Sequence, residues 1–584
     1  MQPKGMFRER LVAESGFNLL QEKWLPVRRA SGARERVAPA GIVSGPVADP
    51  VVAFDWGRAD FDAASVEFMV GLLACACPPA DDRDWHGWWA SPPAEDDLAA
   101  RFDPLAEAFA LTGEGPLFMQ DLEEIGGMGV SVSGLMIEAP GANAERNNGD
   151  LFQKRGRFPA LSLPAAAMAL FTLQTYAPAG GAGHRTSLRG GGPLTTLALP
   201  PPEKPSLWHL LWLNLENAAA DLPALTAQTA PDLMPRIFPW LAPTKTSEGN
   251  KPPLGEADID PRGVYWGMPR RIRLDITHAP QPETCAATGE RVHDVVCSYR
   301  TRPWGMNYAT LRHPLSPMYR QNATSTEWLY VHPQPGGLTY RHWIDLALTP
   351  EGTDYLRRPA PALHGARARL QILRVDGARI RAVGYDMDKM KARGFVEAQF
   401  PLFVLGEQDA NKALDRAARE FVAAAGLVNG GLLRNLRQAL QIEKTDAARI
   451  DAVARAFQDR TQEAFFAALH QIAEKLAVDA YDDTVIAEAG RAFLRGALAP
   501  VAQDLFDSHA PLSLQTGRLA DMGRVVAARR NLLWILRGTG KDGAKLFAHL
   551  GLPQPQAKAR EKSAGKSKSA GKNKSGKEAA LASA

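Results

Sequence analysis

Residues 178–196 read Pro-Ala-Gly-Gly-Ala-Gly-His-Arg-Thr-Ser-Leu-Arg-Gly-Gly-Gly-Pro-Leu-Thr-Thr. One cluster, Gly180, Gly181, Ala182 and Gly183, and a second, Gly190 to Gly192, flank His184, Arg185 and Arg189. Glycine lets a backbone approach a partner closely and adopt positive φ. Arginine supplies a planar cation for phosphate or base edges. This pattern suits a cradle for a polyanion, and equally a plain surface loop. It lacks the lysine of a phosphate-binding P-loop and the Gly-x-Gly-x-x-Gly spacing of a dinucleotide site. Two further segments share its style. Tyr299 to Trp304 alternates cations with aromatics through Arg300 and Arg302, and Gly384 to Gly394 carries Asp388, Lys389 and Met390 in a polar stretch. Cations beside aromatic platforms suit nucleic acid, and suit a solvated charged face as well.

Other chemistry is poorly represented. Cys285, His293 and Cys297 lack a fourth ligand and the close cysteine pair of a structural zinc site. Cys75 and Cys77 lie in an apolar helical run, where cysteine behaves as a small hydrophobe. No Gly-x-Ser-x-Gly elbow or His-Glu-x-x-His motif occurs. His209, inside Leu-Trp-His-Leu-Leu-Trp, reads as a packed helix residue and not as a base. No catalytic constellation or metal site is expected, and no cofactor.

The elements that position these segments follow from pattern. A chain of 584 residues exceeds one core, so two or more domains are expected. It is 45% hydrophobic and 23% charged, as in ordinary globular proteins. No apolar run is long enough to span a bilayer, the first ten residues do not lead into an export signal, and four cysteines make no disulfide framework. These features predict a cytoplasmic protein. Residues 1–405 mix short extended runs with helical ones. Val51 to Trp56 and Ala368 to Arg374 read as strands, and Ser65 to Cys77 and Ser206 to Ala219 as helices. Segments 139–157 and 244–262 read as irregular excursions. From 406 to 550 a helical period takes over, with Leu432, Leu436 and Leu440 on one face and Phe465, Leu469 and Ile472 on another. Four such stretches predict an antiparallel helical bundle. The fold class is therefore α+β, an irregular mixed domain followed by a four-helix bundle. Residues 551–584 form a Lys-rich tail expected to be disordered. From Pro555 on it holds eight lysines and arginines against two glutamates, so it carries +6 of a net +4 and leaves −2 to the rest. Any nucleic-acid site must then be a local patch on a near-neutral body.

Taken in order, several segments resemble the CasA family, the large subunit of the type I-E CRISPR surveillance complex, Cascade. The resemblance is carried by Phe17 to Arg28, Glu67 to Leu73, Pro116 to Asp121, Ser187 to Thr196, Arg262 to Trp266, His313 to Pro317 and Gly384 to Asp388. It implies a large α/β domain with a four-helix bundle, and a recognition subunit that is not an enzyme. Such a subunit reads the protospacer-adjacent motif (PAM) of double-stranded DNA from the minor groove, starts strand separation and helps recruit a helicase-nuclease. The implied partners are the other Cascade subunits, the crRNA, target DNA and that helicase-nuclease. No membrane is involved. The family's glycine loop corresponds to Ala179 to Gly183 and its basic finger to Arg300 or Arg302. Its strand-separating wedge corresponds to Asp388, Lys389 and Met390. This chain has arginine where relatives carry a finger lysine, and Asp-Lys-Met where they carry an Asn-Gln pair. Segment 141–157 corresponds to a loop that docks on neighbouring subunits and the crRNA 5′ end, with Phe152 as anchor and Lys154, Arg155 and Arg157 beside it. Two other classes remain at this stage: an enzyme holding a phosphorylated substrate on the Gly180 loop, and a purely structural subunit.

Overall fold

The computed structural model describes residues 16–554. Excepted are 149, 151–153, 182, 220–221, 223–224, 226–228, 349–355, 390, 444–447, 480–483 and 512–518. Phe152, Ala182, Met390 and the tail from Pro555 therefore lie outside the described residues.

The N-terminal core forms around the helix Ala59–Ala76, which is buried on nearly every side. Its sequence has almost no polar face, so it can only sit inside. Phe68 is its centre, with the rings of Trp24, Phe109, Phe118, Phe171 and Trp266 at 5.5–6.0 Å, all near perpendicular. Edge-to-face packing satisfies the ring quadrupoles while burying large apolar area. Helix Leu163–Tyr176 lies alongside, with Pro164 in its first turn and the Ser162 hydroxyl accepting from the Ala165 N–H.

Two long antiparallel hairpins leave this core. The first pairs Arg271–Thr284 with Arg291–Arg302. The second pairs Arg379–Asp388 with Lys391–Pro401, and its inner strand also pairs with Thr195–Leu199. Residues 195–199 are wholly buried. The second hairpin is thus rooted in the core while its turn projects.

Beyond the last strand the chain is helical: Gln408–Leu440, Ala448–Val478, Thr484–Phe493 continued through one π turn into Ala499–His509, and Leu519–Leu536. A shorter helix, Gly540–His549, packs on the first of these. The predicted leucine and phenylalanine faces point inward: Leu432, Leu436, Phe465, Leu469 and Ile472 are fully buried. The helical part is joined to the mixed part by the stacked rings of Tyr340 and Phe465 at 4.7 Å, and by a bidentate Arg367–Asp415 pair at 2.7 and 2.9 Å.

One expected strand is a helix. Ala368 to Arg374 lies at the end of the helix Pro361–Leu373. Ala362, Leu363, Ala366 and Leu370 are its buried stripe, a helical spacing that the short alternating window conceals. The expected helix from Ser206 is shorter than read and ends at Asn214. Among the described residues no helix is long and apolar enough to cross a membrane.

Candidate nucleic-acid interface

The first glycine cluster is a tight turn. The Gly180 N–H donates to the His184 carbonyl at 3.2 Å, and the His184 N–H donates to the Gly181 carbonyl at 2.8 Å. Gly181 and Gly183 have φ of 67° and 83°, where a side chain is strained. Gly183 is constrained twice, because a Cβ there would stand 2.8 Å from the Trp304 ring. The Trp304 N–H donates to the Gly183 carbonyl at 2.9 Å, and Trp304 itself has φ of 67°. The glycine loop is therefore fastened to the chain two residues beyond Arg302.

The cations of this segment are mostly committed. Arg189 is buried, paired with Glu67 at 2.5 Å and bonded to Thr195 and Ser316 at 2.9 and 2.8 Å. It is a core residue and contributes nothing to a cradle. Arg185 donates to the Ser247 hydroxyl at 2.9 Å and lies 5.4 Å from the centre of the Trp304 ring, bracing the loop. Burial first, and then the Arg270 charge, lower the His184 pKa below the usual histidine value. His184 is accordingly neutral at neutral pH.

The second glycine cluster is structural. Gly191 packs on Pro178 at the base of the loop, with 3.4 Å from its would-be Cβ to the Pro178 Cα. A Cβ on Gly192, whose φ is 65°, would meet the Tyr385 carbonyl at 2.5 Å and the Met387 side chain at 2.8 Å. These bare glycines let the loop's return strand lie directly against the second hairpin. The glycine loop thus sits between the end of the first hairpin, through Trp304, and the second hairpin, through Gly192.

Arg300 and Arg302 face the same side of their strand, being two residues apart. Arg300 pairs with Asp275 at 3.1 Å and donates to the Ile125 carbonyl at 3.5 Å. Arg302 is exposed and forms no ion pair among the described residues. On the second hairpin, Arg393 grips Asp386 bidentately at 2.6 and 3.0 Å. A register shift between Asp386 and Met387 leads to the turn at Asp388 and Lys389. Lys389 is exposed with φ of 56°.

In the 141–157 loop, Arg155 pairs with Asp150 at 2.5 Å and donates to the Glu145 carbonyl at 2.7 Å and to Asn148 at 3.0 Å. It folds the loop on itself. Arg157 lies 5.0 Å from the centre of the Phe158 ring, and Lys154 is exposed.

The surface so built is floored by the glycine loop and carries the exposed cations Arg302 and Lys389, the latter at an exposed turn. Among the described residues no group of three or more His, Cys, Asp or Glu could hold a metal ion. His209 is held by Ser206 at 2.5 Å and the Trp89 carbonyl at 3.2 Å, and burial pushes its pKa down to about 4. Sequence reasoning missed Trp304 as the fastener, the packing role of Gly190 to Gly192, and Arg270 beneath the loop. A tryptophan just after the cation pair was the available signal for the first. Nothing local marks Arg270.

The fold is α+β, an irregular mixed body with an appended helical region. The chain belongs to the family described as CRISPR-associated protein Cse1, which matches residues 18–503. Its fold is similar to that of Thermobifida fusca Cse1, with TM-score 0.64 and 18% identity, covering 92% of this chain and 98% of that one. It is also similar to Thermus thermophilus CasA (Cse1), with TM-score 0.61 and 16% identity, covering 89% and 100%. A chain of a CRISPR RNA-guided surveillance complex matches at TM-score 0.59 and 17% identity, over 89% and 99%.

Proposed function

We propose that this chain is the large subunit of a type I-E CRISPR RNA-guided surveillance complex, not an enzyme. In this reading it recognises a short motif in double-stranded DNA, starts strand separation and helps recruit a helicase-nuclease. The observation that carries the reading is the contiguity of three elements far apart in sequence. The glycine loop is bonded to Trp304 beside Arg302 and packed, through Gly192, on the hairpin bearing Asp388 and Lys389.

Each element has a chemical task. Bare backbone at Gly180, Gly181 and Gly183 enters a minor groove about 6 Å wide, where side chains would clash. Arg302, unlike Arg300, is unpaired among the described residues and is the finger that reaches acceptors on the groove floor. The Asp388–Lys389 turn, with Met390, inserts beside the motif and unstacks the first pair, at a cost of a few kcal/mol. Guide pairing reads the long sequence, so the protein reads only the short motif and backbone shape. Phe152, Lys154, Arg155 and Arg157 belong to the loop assigned to neighbouring subunits and the crRNA, Arg155 by shaping it.

The test is Gly181→Val in a complex reconstituted with crRNA and the partner subunits. Assembly is expected to be intact and binding to motif-bearing duplex abolished in a gel shift. Unchanged duplex affinity contradicts the reading. Loss of assembly with normal DNA affinity of whatever complex forms supports a purely structural subunit instead.

A further inference from the structure

Arg270 lies directly beneath the glycine loop, and no role for it follows from anything above. It is 8% exposed. Five arginines among the described residues are this buried, and four of them face carboxylates: Arg189 with Glu67, Arg271 with Asp121, Arg367 with Asp415 and Arg369 with Asp82. Arg270 has no carboxylate among the described residues. Its side chain donates to the Pro178 carbonyl, and its Nε is buried without a partner. Its backbone is clamped, N–H to Gln174 Oε1 at 3.0 Å and carbonyl to Gln174 Nε2 at 2.9 Å, so its main chain is held in place. Desolvation lowers its pKa to about 10, which still leaves it charged at neutral pH. A buried charge without a counter-ion is costly to keep.

Gly180 packs directly on this charge. That glycine is exposed, and a Cβ built on it would stand 2.3 Å from Arg270 Nη1 and 3.1 Å from Nη2. A side chain at 180 would meet both the guanidinium and the His184 Cβ, the latter at 2.5 Å. The missing side chain leaves only backbone between the cation and the surface. We propose that Arg270 and the bare backbone at Gly180 form a seat for one phosphate of the target DNA backbone. The missing counter-ion is then the DNA itself. Phosphate contacts position a protein on the duplex and base contacts specify sequence, so this seat sets the depth and register at which the loop enters the groove. The inference rests on the reading of the loop as a DNA contact.

The test uses the reconstituted complex with crRNA and a motif-bearing duplex in which single phosphates are replaced, one at a time, by neutral methylphosphonates. One substitution near the motif is expected to weaken wild-type binding by about tenfold, the scale of a charge-assisted contact. The same substitution is expected to have no effect on an Arg270→Gln complex. That variant should also lower the slope of log affinity against log salt by about one. Its isolated chain should melt no lower than wild type, since a buried uncompensated charge is gone. If no methylphosphonate weakens the wild-type complex, or if Arg270→Gln keeps both the salt slope and the methylphosphonate effect, the seat is overturned. Because the methylphosphonate series is read on the wild type, a folding defect in the variant does not rescue the idea. Unchanged binding by Gly181→Val removes the loop reading and the seat together. Loss of binding by Gly181→Val with a flat methylphosphonate series removes the seat alone.

Discussion

Arg189 and Arg302 carry the same side chain, yet one belongs to the core and the other to the surface. In the sequence Arg189 stands beside three glycines and looks like part of a polyanion cradle. Its true partner, Glu67, is 122 residues away on the central helix, where it also accepts from Tyr176 and from Thr195 at 2.6 Å. Long-range pairing of this kind leaves no local signature. The glycines were legible because positive φ and close backbone approach favour that residue type. Arg189→Ala leaves the Glu67 carboxylate buried and uncompensated, which costs about 3–5 kcal/mol. A large drop in melting temperature is expected in thermal denaturation, with normal motif preference in whatever complex still assembles. A variant as stable as wild type but unable to bind DNA would return Arg189 to the binding surface.

At the scale of elements, the second hairpin separates a rigid stalk from a projecting tip. Ile380 and Ala382 are fully buried, Tyr385 donates to Asp60 at 2.7 Å, and Arg393 clamps Asp386. Past the bulge the turn is exposed, with Lys389 in left-handed backbone. This division predicts a role in opening the duplex rather than in choosing the motif. Replacing 388–390 with three glycines should slow R-loop formation on intact duplex. A target already mismatched in its first pairs should restore the rate, since little is left to unstack. Stopped-flow fluorescence of a reporter base reads both. Equal defects on the two targets would make the hairpin a simple docking element. Glycine and a polar run marked this turn in the sequence, whereas Ala368 to Arg374 was misread. Seven residues hold fewer than two helical turns, so a chance alternation of apolar and polar residues outweighed the stripe that begins at Ala362.

Across the whole molecule, buried imidazoles set the response to acid. Burial lowers the pKa of His209 and His342 to about 4 each, and that of His313 well below the usual value. All three are neutral in the fold and gain protons near pH 6.5 when unfolded. Their contribution is therefore present above pH 6.5 and is lost as pH falls toward 4, by about 3 kcal/mol for His209 alone. Asp62 acts in the opposite sense, since burial raises its pKa to about 6. Its contribution is full below pH 4 and is lost as pH rises through 6. Denaturant melts from pH 4 to 8 should show stability rising between 4 and 6.5. Asp62→Asn should be more stable than wild type at pH 7.5, an advantage that disappears near pH 4. A variant less stable than wild type at both pH values would contradict the assignment. At this scale the ordered series of short segments made the family and fold class readable. The contiguity of the glycine loop, Arg302 and the hairpin bearing Asp388 and Lys389 was not, because Trp304 and Gly192 create it only after folding. Base analogues probe how that contiguous surface meets the minor groove. Inosine for guanine deletes one amino group from the minor groove, and diaminopurine for adenine adds one, while the acceptors of the major groove stay in place. The reconstituted wild-type complex should change affinity with these analogues inside the motif. An Arg302→Ala complex should bind good motifs about 1–3 kcal/mol more weakly and no longer distinguish the analogues. If the wild type ignores the analogues, or if Arg302→Ala weakens every sequence equally, minor-groove reading by this surface is wrong.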